Sequence, residues 1–511
     1  MRTKNSIINI AANCTSYCFF MLTSFFVRKL FIYEFGLEIL GIDYSFSNAI
    51  SLLSVAELGL GTGMIYKLYK PVAEKNHQKT ASILKFLRNS YLLISGILLL
   101  FGIVFSFFTS NLIKENFDKI WLTRIFILYI FDTLASYLFF YKRVMFIADQ
   151  KSYLNNLIKI FVIIVSFISQ ILVIRFLRSL EIYLITKIIF RLLENILISY
   201  FFDKQYNFLN IKSSHNFDKL EKKEITKSIS SMFFHRISGT GIKQISGIII
   251  PAFATLRENG IYSNYMMIIT ALWGISNEFF GGMAASFGNL LHTESKEKIH
   301  KNFNMLFFIN FLIYSFFVSA FFGIITPFMK IWIRSENSVF SIYTIILITI
   351  YLYVYGMKQC VEMAKISAGI YTQDKFMPII EFVINLTTSF LMTKYYGING
   401  AIFGATISAI LVPLISQPYF FYKLILKISP IEYYRKYFIY ACISTICILI
   451  TNTLIGLVHL NSFILQIAFN LSICLLIPML LNLLIFRKTE EFIKIKNHLI
   501  LLKNKLKYIK Q

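Results

Sequence analysis

Charged side chains stand inside long apolar stretches of this sequence, and helical spacing gathers several of them on shared faces. Asn155, Lys159, Ser166 and Gln170 fall on one such face. In the next stretch Tyr183, Lys187, Arg191 and Glu194 do, and in the one after it Arg236, Thr240, Lys243 and Gly247 do. Lys159, Lys187, Arg191, Arg236 and Lys243 thus converge on one lumen, with Arg28 and Lys29 at the outer end of the first stretch. Ammonium and guanidinium groups at mid-membrane depth replace the water that phosphate oxygens lose, so the chemistry this pattern suits is the binding of an anion. Glu57, Asp132, Glu194, Glu278 and Glu381 are the acids that compete as partners, and Glu194 beside Arg191 is a candidate for local pairing.

A second pattern is a polar stripe. Asp43, Ser47, Ser51, Ser54, Glu57 and Gly61 lie within roughly a third of a helix circumference, with Asn48 beside them. In lipid, unpaired polar groups cost several kcal/mol, so the stripe must face other helices or a cavity. A similar stripe follows Gly260, with Ser263, Thr270, Gly274, Asn277 and Gly281, and Glu278 at its edge; Asn264 is a further cavity-lining candidate. The texts LGIDYSFSNAISLLS and NGIYSNYMMIITALW both open on Gly-Ile and continue through aromatic and Ser/Asn residues into an apolar run. They lie six spans apart, which gives both copies one orientation and implies parallel repeats. Gly59 and Gly61, and the Gly281-Gly282 pair, would permit close helix contact.

Nothing in the sequence argues for covalent chemistry. Phosphate-binding glycine loops, zinc-ligand spacings and nucleophile elbows are missing. The six cysteines lie in or beside apolar runs without metal-ligand spacing, which fits small core residues. No metal or cofactor is expected, and a coupling ion, Na+ or H+, stays open.

The elements that must position these residues are membrane spans. Of 511 residues, 57% are hydrophobic and 15% charged, with a mean hydropathy of +0.65. Runs long enough to cross ~30 Å of hydrocarbon recur. Fourteen are read, over 8–31, 38–66, 90–110, 120–141, 153–177, 179–201, 229–254, 258–289, 302–326, 338–357, 376–394, 398–422, 434–457 and 462–486. The fold class is an all-α polytopic membrane protein with two six-helix lobes and a C-terminal pair. The first run lacks a cleavage site after it and is expected to stay as the first helix. The domains read as 1–201, a cytoplasmic linker 202–228, 229–422, a helix pair 423–486, and a basic tail 487–511 lying along the inner membrane surface.

The net charge of +25 follows from this layout. Of the 51 Lys and Arg, about 35 fall in the N-terminus, the even-numbered connections and the tail, and about ten near the other face. That asymmetry puts both termini in the cytoplasm, against an anionic leaflet, and leaves nucleic acid as an unneeded partner.

The text FGLEILGIDYSFSNAISLLSVAELGLGTGMIYKLYKPVAEKN, followed by ENILISYFFDKQYNFL and SISSMFFHRISGTGIKQISGIIIPAFATLRENGIYSNYMMI, resembles the bacterial polysaccharide flippases. These belong to the multidrug/oligosaccharidyl-lipid/polysaccharide transporter superfamily. The resemblance spans the first twelve runs. It implies a two-lobed bundle in the plasma membrane, working by alternating access on an undecaprenyl-diphosphate-linked glycan. A polysaccharide polymerase and chain-length proteins are its candidate partners, with the protein functional as a monomer among membrane lipids. Family members often carry an Asp-Asn pair where this chain has Ser246 and Gly247, so coupling through that carboxylate does not carry over; His235 and Arg236 keep the basic end of the motif. Two rivals remain: an ion-coupled drug or metabolite exporter, with Asp132 as its best-placed acid, and a glycan polymerase or transferase, for which the short outer connections leave little room.

Overall fold

The structure, a computed structural model, describes residues 2–54, 60–111, 113–211, 239–333, 339–370, 373–458, 460 and 462–497. Every regular element among the described residues is helical, and the chain is an all-α polytopic membrane protein. Two compact units divide it, Met1–Ser263 and Asn264–Gln511.

Unit 1 holds α1 (Arg2–Leu53), α2 (Leu60–Ala73), α3 (His77–Ser106), α4 (Lys119–Tyr137), α5 (Phe140–Ala148), α6 (Ser152–Leu172), α7 (Leu180–Gln205), α8 (239–253) and the first residues of α9 (Leu256–Thr293). Inside α1 the chain turns at Gly36, whose φ of 84° and ψ of 176° lie outside helical space. Glycine reaches that region without steric cost, and the helices on its two sides are the first two expected spans. Side chains close the starts of α3 and α4, where free N–H groups need acceptors. Asn76 accepts from Lys79 N at 2.9 Å for α3, and Asp118 accepts from Ile120 N and Trp121 N at 3.2 Å for α4.

The core of unit 1 packs Leu68, Leu84, Leu87, Tyr91, Val144, Phe146, Ile198 and Phe202, all nearly inaccessible to solvent. Two glycines set the approach of α9 to α1. A Cβ at Gly41 would overlap the carbonyl of Leu256, and one at Gly260 would overlap the carbonyl of Leu37, so the contact is made backbone to backbone in both directions. Gly281 and Gly282 differ: a Cβ on either would meet nothing within 4 Å, and the close contact expected there is not made.

Unit 2 continues α9 and adds α10 (Lys296–Ile333), α11 (Ile342–Met357), α12 (Gln359–Ser367), α13 (Met377–Tyr396), α14 (Ile398–Leu411), α15 (Pro413–Phe421), α16 (Ile431–Gly456) and α17 (Phe463–Phe486). Its core is an aromatic ladder. Phe307 lies 4.6 Å from Tyr433 and Phe311 stacks on Tyr440 at 4.2 Å, centroid to centroid, with Phe486 of α17 closing the end. A further helix over 490–497 is tied back by Lys436, whose Nζ donates at 2.8 Å to Glu491 and lies 2.8 Å from Glu432. Burial raises the pKa of Glu491, but the Lys436 hydrogen bond and charge outweigh it and leave the carboxyl below its ordinary range.

Eight described helices are long and apolar enough to cross a membrane. The remaining expected spans fall on α1, α7, α9 and α13, whose charged and amide side chains dilute the apolar run, and on α8, described for only part of 229–254. Exposed side chains such as Phe101, Phe161, Phe176, Leu449 and Leu484 form the outer surface of these helices, where hydrocarbon rather than water is the solvent.

A charged cluster inside unit 1

Five helices of unit 1, α1, α4, α5, α6 and α7, carry the cluster. α1 packs on α4 and α6, and α7 packs on both α4 and α6, so the faces of these helices converge. Ser179 starts α7 by accepting from Ile182 N at 3.3 Å, which fixes the phase that turns Tyr183, Lys187, Arg191 and Glu194 inward together.

Arg191 and Asp132 form the best-defined pair. Arg191 Nε donates to Asp132 Oδ1 at 2.6 Å and Nη2 to Oδ2 at 3.1 Å, the two-pronged geometry that guanidinium allows and ammonium does not. The expected local pairing of Arg191 with Glu194 is therefore replaced. Glu194 instead meets Arg143 of α5, Nη2 to Oε1 at 3.1 Å, because α5 packs on α7 and brings a second guanidinium to it. Arg143 Nη2 also donates to Asn195 Oδ1 at 3.1 Å, and Asn155 Nδ2 donates to the Arg143 carbonyl at 3.1 Å.

Lys187 has no acid in direct contact among the described residues. Its Nζ stands 5.7 Å from the Tyr129 ring centroid and 5.6 Å from that of Tyr183, with Asp43 and Asp132 among the charges acting on it. Tyr129 donates its hydroxyl to Asp43, so that carboxylate is held by a phenol. Arg28 donates to Ser263 Oγ, and Ser263 in turn donates to the Gly260 carbonyl at 2.6 Å. Lys159 reaches the Phe20 ring at 5.6 Å.

Arg28, Arg143, Lys159, Lys187 and Arg191 face Asp43, Asp132 and Glu194 in this cluster, so cations outnumber acids by two. One donor and two acceptors are left over: Arg143 Nε, Asn155 Oδ1 and Glu194 Oε1 are buried without a hydrogen bond. Such groups carry a desolvation penalty that a polar ligand would relieve.

The other predicted residues stand elsewhere. Asn48 is buried in unit 1, donates to the Tyr44 carbonyl at 2.7 Å and fills the space over Gly247. Lys29 is half-buried on α1, and Lys243 is exposed on α8. In unit 2, Asn264 is buried and accepts from Trp332 Nε1 at 3.3 Å, while Asn277 and Glu278 are exposed on α9. Glu57, His235, Arg236 and most of the expected linker lie outside the described residues. Arg143 and Tyr129 were not anticipated. Arg143 lies beyond the expected end of its span, whereas Tyr129, one helical turn before Asp132, was open to the same spacing argument.

No family profile and no curated protein matches the chain. Solved structures do. It is similar to a lipid II flippase MurJ in an inward closed conformation, with a TM-score of 0.66 and 14% identity over 94% of this chain and 99% of that one. An inward-facing multidrug resistance MATE transporter of the MOP superfamily aligns with a TM-score of 0.60 and 13% identity, covering 81% and 96%. A point mutant of the Vibrio cholerae MATE transporter VcmN aligns at 0.57 and 13%, covering 84% and 99%. At these identities what the chain has in common with the MurJ flippase and the MATE transporters is their fold.

Proposed function

We propose that the chain is a flippase that moves undecaprenyl-diphosphate-linked oligosaccharide repeat units from the cytoplasmic to the outer leaflet of the bacterial plasma membrane. Alternating access, with both termini in the cytoplasm, would serve cell-surface polysaccharide synthesis. The observation that carries this reading is the excess of cations in the unit 1 cluster, where Lys187 and Lys159 lack a carboxylate in direct contact among the described residues. A diphosphate supplies the missing anion, and the leftover Arg143 Nε–H supplies a hydrogen bond to its oxygens. The fold likeness to a lipid II flippase supports a lipid-linked cargo. Arg28, Lys29, Lys243 and Arg236 are proposed to extend the basic path, and the sugars and any coupling ion are left unassigned. No catalytic residue is assigned.

The test is surface polysaccharide in cells whose only copy carries Lys159→Ala with Lys187→Ala. At unchanged protein level in the membrane, surface glycan should fall at least about tenfold, since each lost charge contact to phosphate is worth on the order of 1.4 kcal/mol or more. Normal glycan in the double variant would sink the assignment. A second reading, an ion-coupled exporter, is favoured by Asp43 and Asp132 in the same cluster and by the MATE-like fold. Deletion that changes drug susceptibility while surface glycan stays intact would select it instead.

A further inference from the structure

In unit 2 a cavity of about 440 Å³ lies between α11 and the α13–α14 hairpin. Leu347, Met392, Tyr396, Asn399, Gly400 and Phe403 line it. Its origin is the hairpin itself. Gly397, at φ 55°, turns α13 back into α14, and Gly400 and Gly404 press α14 against the backbone of Met392 and Ser389. Helices packed that closely push their larger side chains outward, so Met392, Tyr396 and Phe403 become walls of a groove that α11 closes from the other side.

The groove opens on a surface meant for hydrocarbon. Tyr343, Ile346 and Ile350 of α11, and Tyr396 and Phe403 of the hairpin, are exposed around it. Its volume falls in the usual range for ligand sites, about 300–1,000 Å³, and its lining is nearly all apolar, which does not hold water well. One polar atom breaks the pattern. Asn399 Oδ1 is buried and has no hydrogen-bond partner, two residues past the Gly397 turn. Polar and apolar parts are therefore ordered along the axis of α14. The acceptor sits at the helix end, beside the interfacial tyrosines Tyr395 and Tyr396, and Phe403 lies about 6 Å deeper at 1.5 Å per residue.

We infer that this groove is a binding site for one bilayer phospholipid of the leaflet that meets the α13–α14 turn. An acyl chain fills the slot between Leu347, Met392 and Phe403, and the headgroup ammonium of phosphatidylethanolamine donates to Asn399 Oδ1. An ammonium gives the orphaned carbonyl a charge-assisted hydrogen bond, stronger than a glycerol hydroxyl gives, and the slot is of the size of one acyl chain, too small for a polyprenyl tail. The inference does not depend on the cargo proposed for unit 1.

The full-length protein in nanodiscs of phosphatidylethanolamine and phosphatidylglycerol, doped with phosphatidylethanolamine bearing a diazirine on one acyl chain, provides the test. After irradiation, adducts should concentrate on Leu347, Met392 and Phe403 at about fivefold or more over Phe390 and Leu391, which are more exposed on α13. Leu347→Trp, which fills the slot, should bring that ratio to one without shifting the thermal transition. Asn399→Ala, which keeps the slot, should weaken competition by unlabelled phosphatidylethanolamine severalfold and leave competition by phosphatidylglycerol less affected. Even labelling of the wild-type surface would overturn the site, and this arm needs no variant to fold. Displacement of the adducts by equimolar undecaprenyl diphosphate would overturn the assigned occupant and make the groove part of a cargo path.

Discussion

The Arg191–Asp132 pair is where charge and geometry can be separated most cleanly. Its two parallel hydrogen bonds need a planar fork, so Arg191→Lys should lose one of them and lower stability nearly as far as Arg191→Ala. A double-mutant cycle with Asp132→Ala, read by thermal unfolding in detergent, should give a coupling of about 0.5–3 kcal/mol. The lower half of that range is expected, because the Arg191 side chain is 39% exposed and its charge partly screened. A coupling near zero would mean that the pair is incidental to the fold. Lys159, Lys187 and Arg191 were visible in the sequence because a charge inside an apolar run stands out, and a period of 3.6 says which charges share a face. Their partners were not visible. Glu194 lies one turn from Arg191, yet Arg143 claims it from another helix, and no spacing within one span reports what a neighbouring helix brings.

Helix contacts show the same division between local and non-local information. Glycines in apolar runs signal close packing, but the sequence does not say against what. Gly41 and Gly260 prove to be the positions of unit 1 where a Cβ would strike another helix's backbone, whereas Gly281 and Gly282 have open space beside them. Alanine at Gly41 or Gly260 must push apart two backbones and should destabilise by about 1–3 kcal/mol or more. Alanine at Gly281 meets nothing and should gain up to about 1 kcal/mol from helix propensity. Thermal unfolding of the three variants side by side distinguishes them; a Gly41→Ala protein as stable as wild type would show that the seam is loose. Helix ends were read less well than helix existence. α3 begins at His77 rather than near 90, since a helix capped by Asn76 continues beyond the hydrocarbon wherever its polar residues can stay in water.

For the whole molecule, the class was legible from composition alone, because this apolar content leaves no soluble alternative. Orientation is a separate matter, carried by the Lys and Arg asymmetry, and it is tested by labelling. In a cysteine-free background that retains function, Lys75→Cys and Lys204→Cys should react with an impermeant maleimide only in opened cells, and Arg178→Cys and Lys119→Cys in intact ones. The reverse pattern would invert the proposed topology. The reciprocal contact of Gly41 with Leu256 and of Gly260 with Leu37 bears on how such a chain can change over time. Main-chain carbonyls are present whatever the side chain, so Leu37 and Leu256 can be replaced freely as far as this seam is concerned. The restriction falls on two positions where no side chain fits. Concentrating it there leaves the seam asking for two bare backbones and for no particular neighbours.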